Sequence, residues 1–101
     1  MRYFVVEGTF RDTITIDKSE LQIAIADHLV YLDKGFEEKF ILASGPKASE
    51  GGGIIIIKGQ SLEEIENYLS KDPLKVKGVQ DYKIVEFKLH KCQPMLKEWF
   101  G

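Results

Sequence analysis

Few side chains in this sequence are suited to move a proton or hold a ligand, and each falls at a defined point of the hydrophobic pattern. His28 stands seven residues after Leu21 and three after Ile25. Helical spacing sets it beside the apolar stripe of a helix. Imidazole titrates near neutrality, so a half-buried histidine there suits general acid–base work. The same position also suits a histidine that only satisfies a backbone carbonyl. Asp72 precedes Pro73. Asp is a favoured N-cap and Pro a favoured first helical residue, so the pair reads first as a helix start. A carboxylate has two oxygens, and the second can orient His28 and stabilise its imidazolium form. Ser44-Gly45-Pro46 reads as a strand-ending turn whose hydroxyl and Gly45 N–H can face a ligand oxygen.

Other candidates carry less. Gly51-Gly52-Gly53 leads into a strand and lacks a following Lys-Ser/Thr pair, so it is not a phosphate loop. Flexibility is the expected role. His90 and Cys92 stand two apart and would share a strand face, but a structural metal site ordinarily needs four ligands. Nothing beyond His28 supports haem ligation. No metal and no cofactor are expected.

The elements that must position these residues follow from periodicity and punctuation. Tyr3-Phe4-Val5-Val6 is the first strand and can run to Phe10. Two overlapping capping boxes, Asp17 with Glu20 and Ser19 with Gln22, announce a helix. Its stripe is Leu21, Ile25, Leu29 and Leu32, and Gly35 offers a left-handed stop followed by a contact from Phe36. Phe40 to Ala43 is the second strand, ending at Ser44-Gly45-Pro46. Lys47 to Glu50 is a polar loop, and Ile54 to Ile57 the third strand. Ser61 with Glu64 opens a second helix, buried through Leu62, Ile65 and Leu69. Asp72-Pro73 starts a short extra turn closed by Gly78. The last strand spans about Gln80 to His90, with Val85, Phe87 and Leu89 on one face and Tyr82 and Ile84 on the other.

The order βαββαβ predicts a two-layer α+β domain over residues 1–101, with both helices on one face of the sheet. Helical connections favour parallel pairing of the strands they join. The far face of the sheet would be apolar, because strand one carries Tyr3 and Val5 on one face and Phe4 and Val6 on the other, and strand three is apolar on both faces. Leaving that surface in water costs about 25 cal/mol per Å². A twofold homodimer would cover it, and so would a C-terminal segment folded back over the sheet. The apolar cluster Met95, Leu96, Trp99 and Phe100 is expected to pack within the dimer.

Bulk properties narrow the function. The chain has 14 basic and 16 acidic residues, a formal net charge of −2, and no Lys/Arg run, which disfavours nucleic acid. No apolar run approaches the ~20 residues that span a bilayer, so no membrane insertion is expected. Cys92 is the only cysteine, which suits a reducing compartment and a cytoplasmic location.

Several segments together resemble the YciI-like (YCII-related) family. They are Tyr3-Phe4-Val5-Val6, His28-Leu29-Val30-Tyr31-Leu32, Ser44-Gly45-Pro46, the Gly-rich entry to strand three, Asp72-Pro73, and Tyr82-Lys83-Ile84-Val85-Glu86-Phe87. They run in the family's order over about residues 1 to 90. The resemblance implies a ferredoxin-like fold that dimerises into an α/β barrel. It also implies a cleft with a histidine–aspartate pair falling on His28 and Asp72, with Ser44 nearby. The sequence departs from the pattern in a long polar segment, Thr9 to Asp17, and in a C-terminal extension, residues 91–101.

Two functions are compatible with these residues, beside a structural role in which the dimer serves only as an assembly unit. One is an enzyme using the His28–Asp72 dyad for proton abstraction with elimination or isomerisation on a small cyclic or aromatic compound, with Ser44, Gly45 and Pro46 binding it. The other is a homodimer that binds a small molecule, or another protein through the Trp99/Phe100 tail, without catalysis.

Overall fold

A computed structural model describes residues 1–101. The core elements are β1 (Arg2–Phe10), α1 (Lys18–Glu37), β2 (Ile41–Pro46), β3 (Gly52–Gly59), α2 (Leu62–Ser70), α3 (Pro73–Val76) and β4 (Gln80–Phe87). A short 3-10 turn, Pro94–Leu96, leads into α4 (Lys97–Phe100). The architecture is α+β, with one four-stranded sheet in the order β2-β3-β1-β4. No helix is long and apolar enough to cross a membrane.

Every neighbouring strand pair is antiparallel, which corrects the expectation of parallel pairing. Each helical connection skips one position in the sheet: β3 lies between β1 and β2, and β1 lies between β3 and β4. The strands joined by a helix do point the same way, but a third strand separates them, the split form of the strand-helix-strand unit.

Alternation along the strands sets the two faces. Phe4, Val6, Ile55 and Ile57 point toward the helices and form the main core with Leu32, Ile41, Ile65 and Leu69. In register, Phe4 lies opposite Ile57 and Val6 opposite Ile55. A second cluster of Ala24, Leu74 and Val79 gathers Phe10, Ile14, Ile16, Leu21 and Ile25 around it. The segment after β1, polar by composition, thus contributes two isoleucines that help seat α3 against α1.

Helix starts follow the capping signals. Asp17, rather than Ser19, caps α1, accepting from the Glu20 N–H at 2.8 Å. Ser61 caps α2, accepting from the Glu64 N–H at 3.1 Å, while Glu64 reaches back to the Gln60 N–H at 2.8 Å instead of to that of Ser61.

Four expectations are corrected. Gly35 does not stop α1 but lies buried inside it. A Cβ at Gly35 would stand 2.8 Å from Ile41 Cγ1, so this glycine permits a close approach to β2. The left-handed residue after the helix is Lys39, at φ 67°. Leu29 and Leu62 are exposed rather than buried. Ser44-Gly45-Pro46 does not end β2 but is its second half, paired with Ile55, Ile54 and Gly53 after a bulge between Ile41 and Ala43. β2 is an edge strand, and an edge accommodates proline. Finally, β4 ends at Phe87, short of His90.

The C-terminal segment folds back over the outer face of its own sheet. Trp99 and Phe100 pack on Tyr3 with ring centroids 6.0 and 4.9 Å away, and Phe100 meets Phe87 at 6.5 Å. Tyr3 donates its hydroxyl proton to the Phe100 carbonyl, Lys58 donates to the Trp99 carbonyl, and the Trp99 indole donates to the Lys39 carbonyl at 2.8 Å. Met95 stays exposed. The rest of the outer face keeps an apolar strip, including Val85, 49% exposed, opposite Val5.

Candidate functional site

His28 lies on the inward side of α1, one turn beyond buried Ala24 and one turn before buried Leu32. Asp72 sits at the junction of α2 and α3, where its N–H donates to the Leu69 carbonyl at 3.2 Å. Its Oδ1 accepts the Leu74 N–H at 2.9 Å, the helix-capping bond. Its Oδ2 lies 2.6 Å from His28 Nδ1. One carboxylate thus holds both the first turn of α3 and the imidazole.

The carboxylate is 0% exposed, whereas the His28 side chain keeps 15% of its surface accessible. A carboxylate only accepts, so Nδ1 carries the proton between them and Nε2 is the ring nitrogen left for a ligand. Burial of α3 on α1 through Leu74 and Ala24 fixes this meeting. Two residues far apart in sequence are therefore brought together where apolar packing seats α3 against α1.

His28 lines a cavity of about 450 Å³. One wall is α1, through Ile25, His28, Leu29 and Leu32. The opposite wall is the β2–β3 hairpin, through Ser44, Gly45, Pro46 and the glycines that open β3. Phe10, Leu74, Gln80 and Tyr82 close the inner end. All three residues expected at a ligand, Ser44, Gly45 and Pro46, line this cavity, and Asp72 stands behind His28 rather than on its surface. The volume and the mainly apolar lining with a few polar groups are those of a small-molecule site.

Glycine at the hairpin is sterically required at Gly53, where a Cβ would stand 2.9 Å from the Gly45 carbonyl oxygen, and most sharply at Gly52. Gly52 has φ 152°, and a Cβ there would collide with the Gly8 carbonyl. Its role is close approach of β3 to β1, not flexibility. Lys47, at the cavity mouth, pairs with Glu7 Oε2 at 3.0 Å and donates to Thr9 Oγ1 at 2.9 Å. The Lys47 ammonium holds the Glu7 carboxyl below its ordinary value.

Two inner-end residues were not singled out as site candidates from the sequence. Gln80 Nε2 donates to Tyr82 Oη at 3.0 Å. The Tyr82 phenol is pushed well above its ordinary pKa, first by burial and then by the Asp72 carboxylate. Their parity on β4, inward with Ile84, was legible, but not the cavity they face. His90 and Cys92 fall beyond β4, and no group of three His, Cys, Asp or Glu side chains is placed to hold a metal ion.

A family model described as the YCII-related domain matches residues 1–88. The uncharacterised protein YjpA of Bacillus subtilis (strain 168) is 36% identical over 67 residues, 66% of this chain and 79% of that protein. Among solved structures, a 5-chloro-2-hydroxyhydroquinone dehydrochlorinase from Burkholderia phenoliruptrix, in complex with 2,5-dihydroxybenzoquinone, superposes with a TM-score of 0.66. It is 21% identical, and the match covers 85% of this chain and 93% of that one. A muconolactone isomerase superposes with a TM-score of 0.74 at 16% identity, over 91% of this chain and 94% of that one. At these identities the structural likeness is one of fold.

Proposed function

The chain belongs to the YCII-related family, and from that premise we propose that it is an acid–base enzyme acting on a small cyclic or aromatic compound. His28 Nε2 takes a proton from the substrate. In isomerisation it returns that proton to another atom of the ring. In elimination the C–H electron pair forms the new double bond as the leaving group departs as an anion such as chloride, and the imidazolium then gives its proton to solvent. Asp72 holds the imidazole tautomer that leaves Nε2 basic and stabilises the imidazolium once it forms. Ser44, Gly45 and Pro46 form the wall against which the ring lies. The observation that carries this reading is the 2.6 Å contact between His28 and a fully buried carboxylate at the edge of the apolar cavity. A dehydrochlorinase and a muconolactone isomerase share the fold, and their names describe the two reaction classes proposed.

The test is turnover of a panel of chlorinated hydroxyquinols and unsaturated lactones by the wild type and by His28→Ala. Loss of the base should lower kcat by about 10²–10⁴. Equal turnover of every accepted substrate by the two proteins ends the reading.

A homodimer built through the outer sheet face fits the same proposal. The apolar strip beside Val85 and Val5 is what a second sheet would cover. Trp99 and Phe100 are already engaged by Tyr3 and Phe87, which argues against capture of another protein by the tail. The unpaired Cys92 fits a cytoplasmic setting.

A further inference from the structure

Gln80 is 3% exposed, yet its carboxamide reaches the inner end of the cavity. It lies flat against the backbone of β1 at Gly8. A Cβ at Gly8 would stand 2.6 Å from the carboxamide carbon and 2.8 Å from both its nitrogen and its oxygen. Glycine at that position makes the room this side chain occupies.

The orientation of the carboxamide follows from its neighbour. The Tyr82 phenol stays protonated and lies near the Asp72 carboxylate, so its proton is drawn toward that charge. Its lone pairs are then free to accept, and Gln80 Nε2 donates to them at 3.0 Å. Oε1 becomes the end without a protein donor. No buried side-chain nitrogen or oxygen is sealed without a partner, so Oε1 opens on the cavity. An almost buried acceptor facing a cavity calls for a donor from whatever fills it.

We propose that Gln80 is a specificity-determining residue whose carboxamide oxygen accepts a neutral O–H or N–H of the bound ring. This rests on the cleft reading above and narrows its substrate class to hydroxylated or N–H-bearing rings. An anionic oxygen at the same point would face a carbonyl dipole and be rejected. A ring without a donor leaves Oε1 unpaired and binds more weakly.

The probes are catechol and ortho-difluorobenzene, titrated into isotope-labelled protein and followed by NMR at His28, Ser44 and Gly45. The wild type should bind catechol about tenfold more tightly. Gln80→Met, of similar volume, should abolish the preference. Gly8→Ala should do the same by displacing an intact carboxamide, and it decides the matter where Gln80→Met does not fold. A preference that survives in the folded variants, with both probes still in the cleft, overturns the role of Gln80 and leaves the cleft reading standing. If neither probe shifts His28 or the hairpin in the wild type, the aromatic cleft itself fails, and Gln80's role with it.

Discussion

Replacing Asp72 by asparagine and by alanine separates its two tasks. Alanine removes the cap of α3, worth about 1 kcal/mol. It also strands the Leu74 N–H and the His28 Nδ1–H in a buried site, at about 1–3 kcal/mol. Asp72→Ala should therefore cost about 2–4 kcal/mol in all. Asparagine caps as well as aspartate, and its oxygen must stay on the Leu74 N–H. Its NH2 then faces His28 Nδ1, which can meet it only as an acceptor. The ring proton moves to Nε2, and the base is lost with the fold nearly intact, within about 1 kcal/mol of wild type. Urea midpoints should place Asp72→Asn about 2 M above Asp72→Ala, at roughly 1 kcal/mol per molar. Ring nitrogen shifts of His28 should report Nδ1 protonated in the wild type and Nε2 protonated in Asp72→Asn. Asp72→Asn should lose turnover by about 10²–10⁴ despite folding. A variant that keeps the Nδ1 proton, or equal midpoints for the two variants, refutes the reasoning.

Three further outcomes are expected. Deleting residues 93–101 strips Trp99 and Phe100 from the sheet and should lower the thermal midpoint by about 10 °C, from about 2 kcal/mol of lost half-buried aromatic contact. An unchanged midpoint by calorimetry would mean the tail does not dock. Gly35→Ala should gain about 1 kcal/mol of helix propensity and lose about 1–3 kcal/mol to crowding against Ile41, a net destabilisation visible in a urea melt. Asp81 contributes one part of the pH dependence: hydrogen bonds from Arg11 first, and then from Lys75, hold its carboxyl well below the usual range. The unfolded state therefore takes up the proton first, and this contribution, intact at neutral pH, is lost as pH falls below about 4. Asp81→Asn should accordingly be less stable than wild type at pH 7 and approach it under acid, and a constant difference across the titration would exclude the link.

Much of the fold was legible because its signals are local. The caps at Asp17, Ser61 and Asp72 are set within three residues of themselves, and the phase of His28 follows from Leu21 and Ile25 on its own helix. The His28–Asp72 pairing was suggested by family resemblance and by the second oxygen that a capping carboxylate keeps; the meeting itself depends on Leu74 packing against Ala24, which no local pattern announces. Gly35 was misread for the same reason. Its absent side chain answers a steric demand from Ile41 on the next strand, not a conformational demand of its own turn. Ser44-Gly45-Pro46 looked like a break because proline ends a central strand, and only the sheet order reveals that this strand has a free side. Gln80 went unmarked because the glycine that makes room for it lies on β1. The tail's apolar character was plain, but Tyr3 and Phe87 as its seat were not.

The wall of the cleft is also the border of the sheet. β2 has no neighbour on its outer side, and such a row of unpaired amides and carbonyls invites a strand from another molecule. Here the bulge at Ile41/Ala43 bends the row, and Pro46 removes one of its donors. The residues that would select a ligand therefore also guard against strand-to-strand aggregation. Substitutions at Pro46 made to alter ligand preference will be paid for in colloidal stability, and variants chosen there for binding alone will tend to self-associate as their concentration rises.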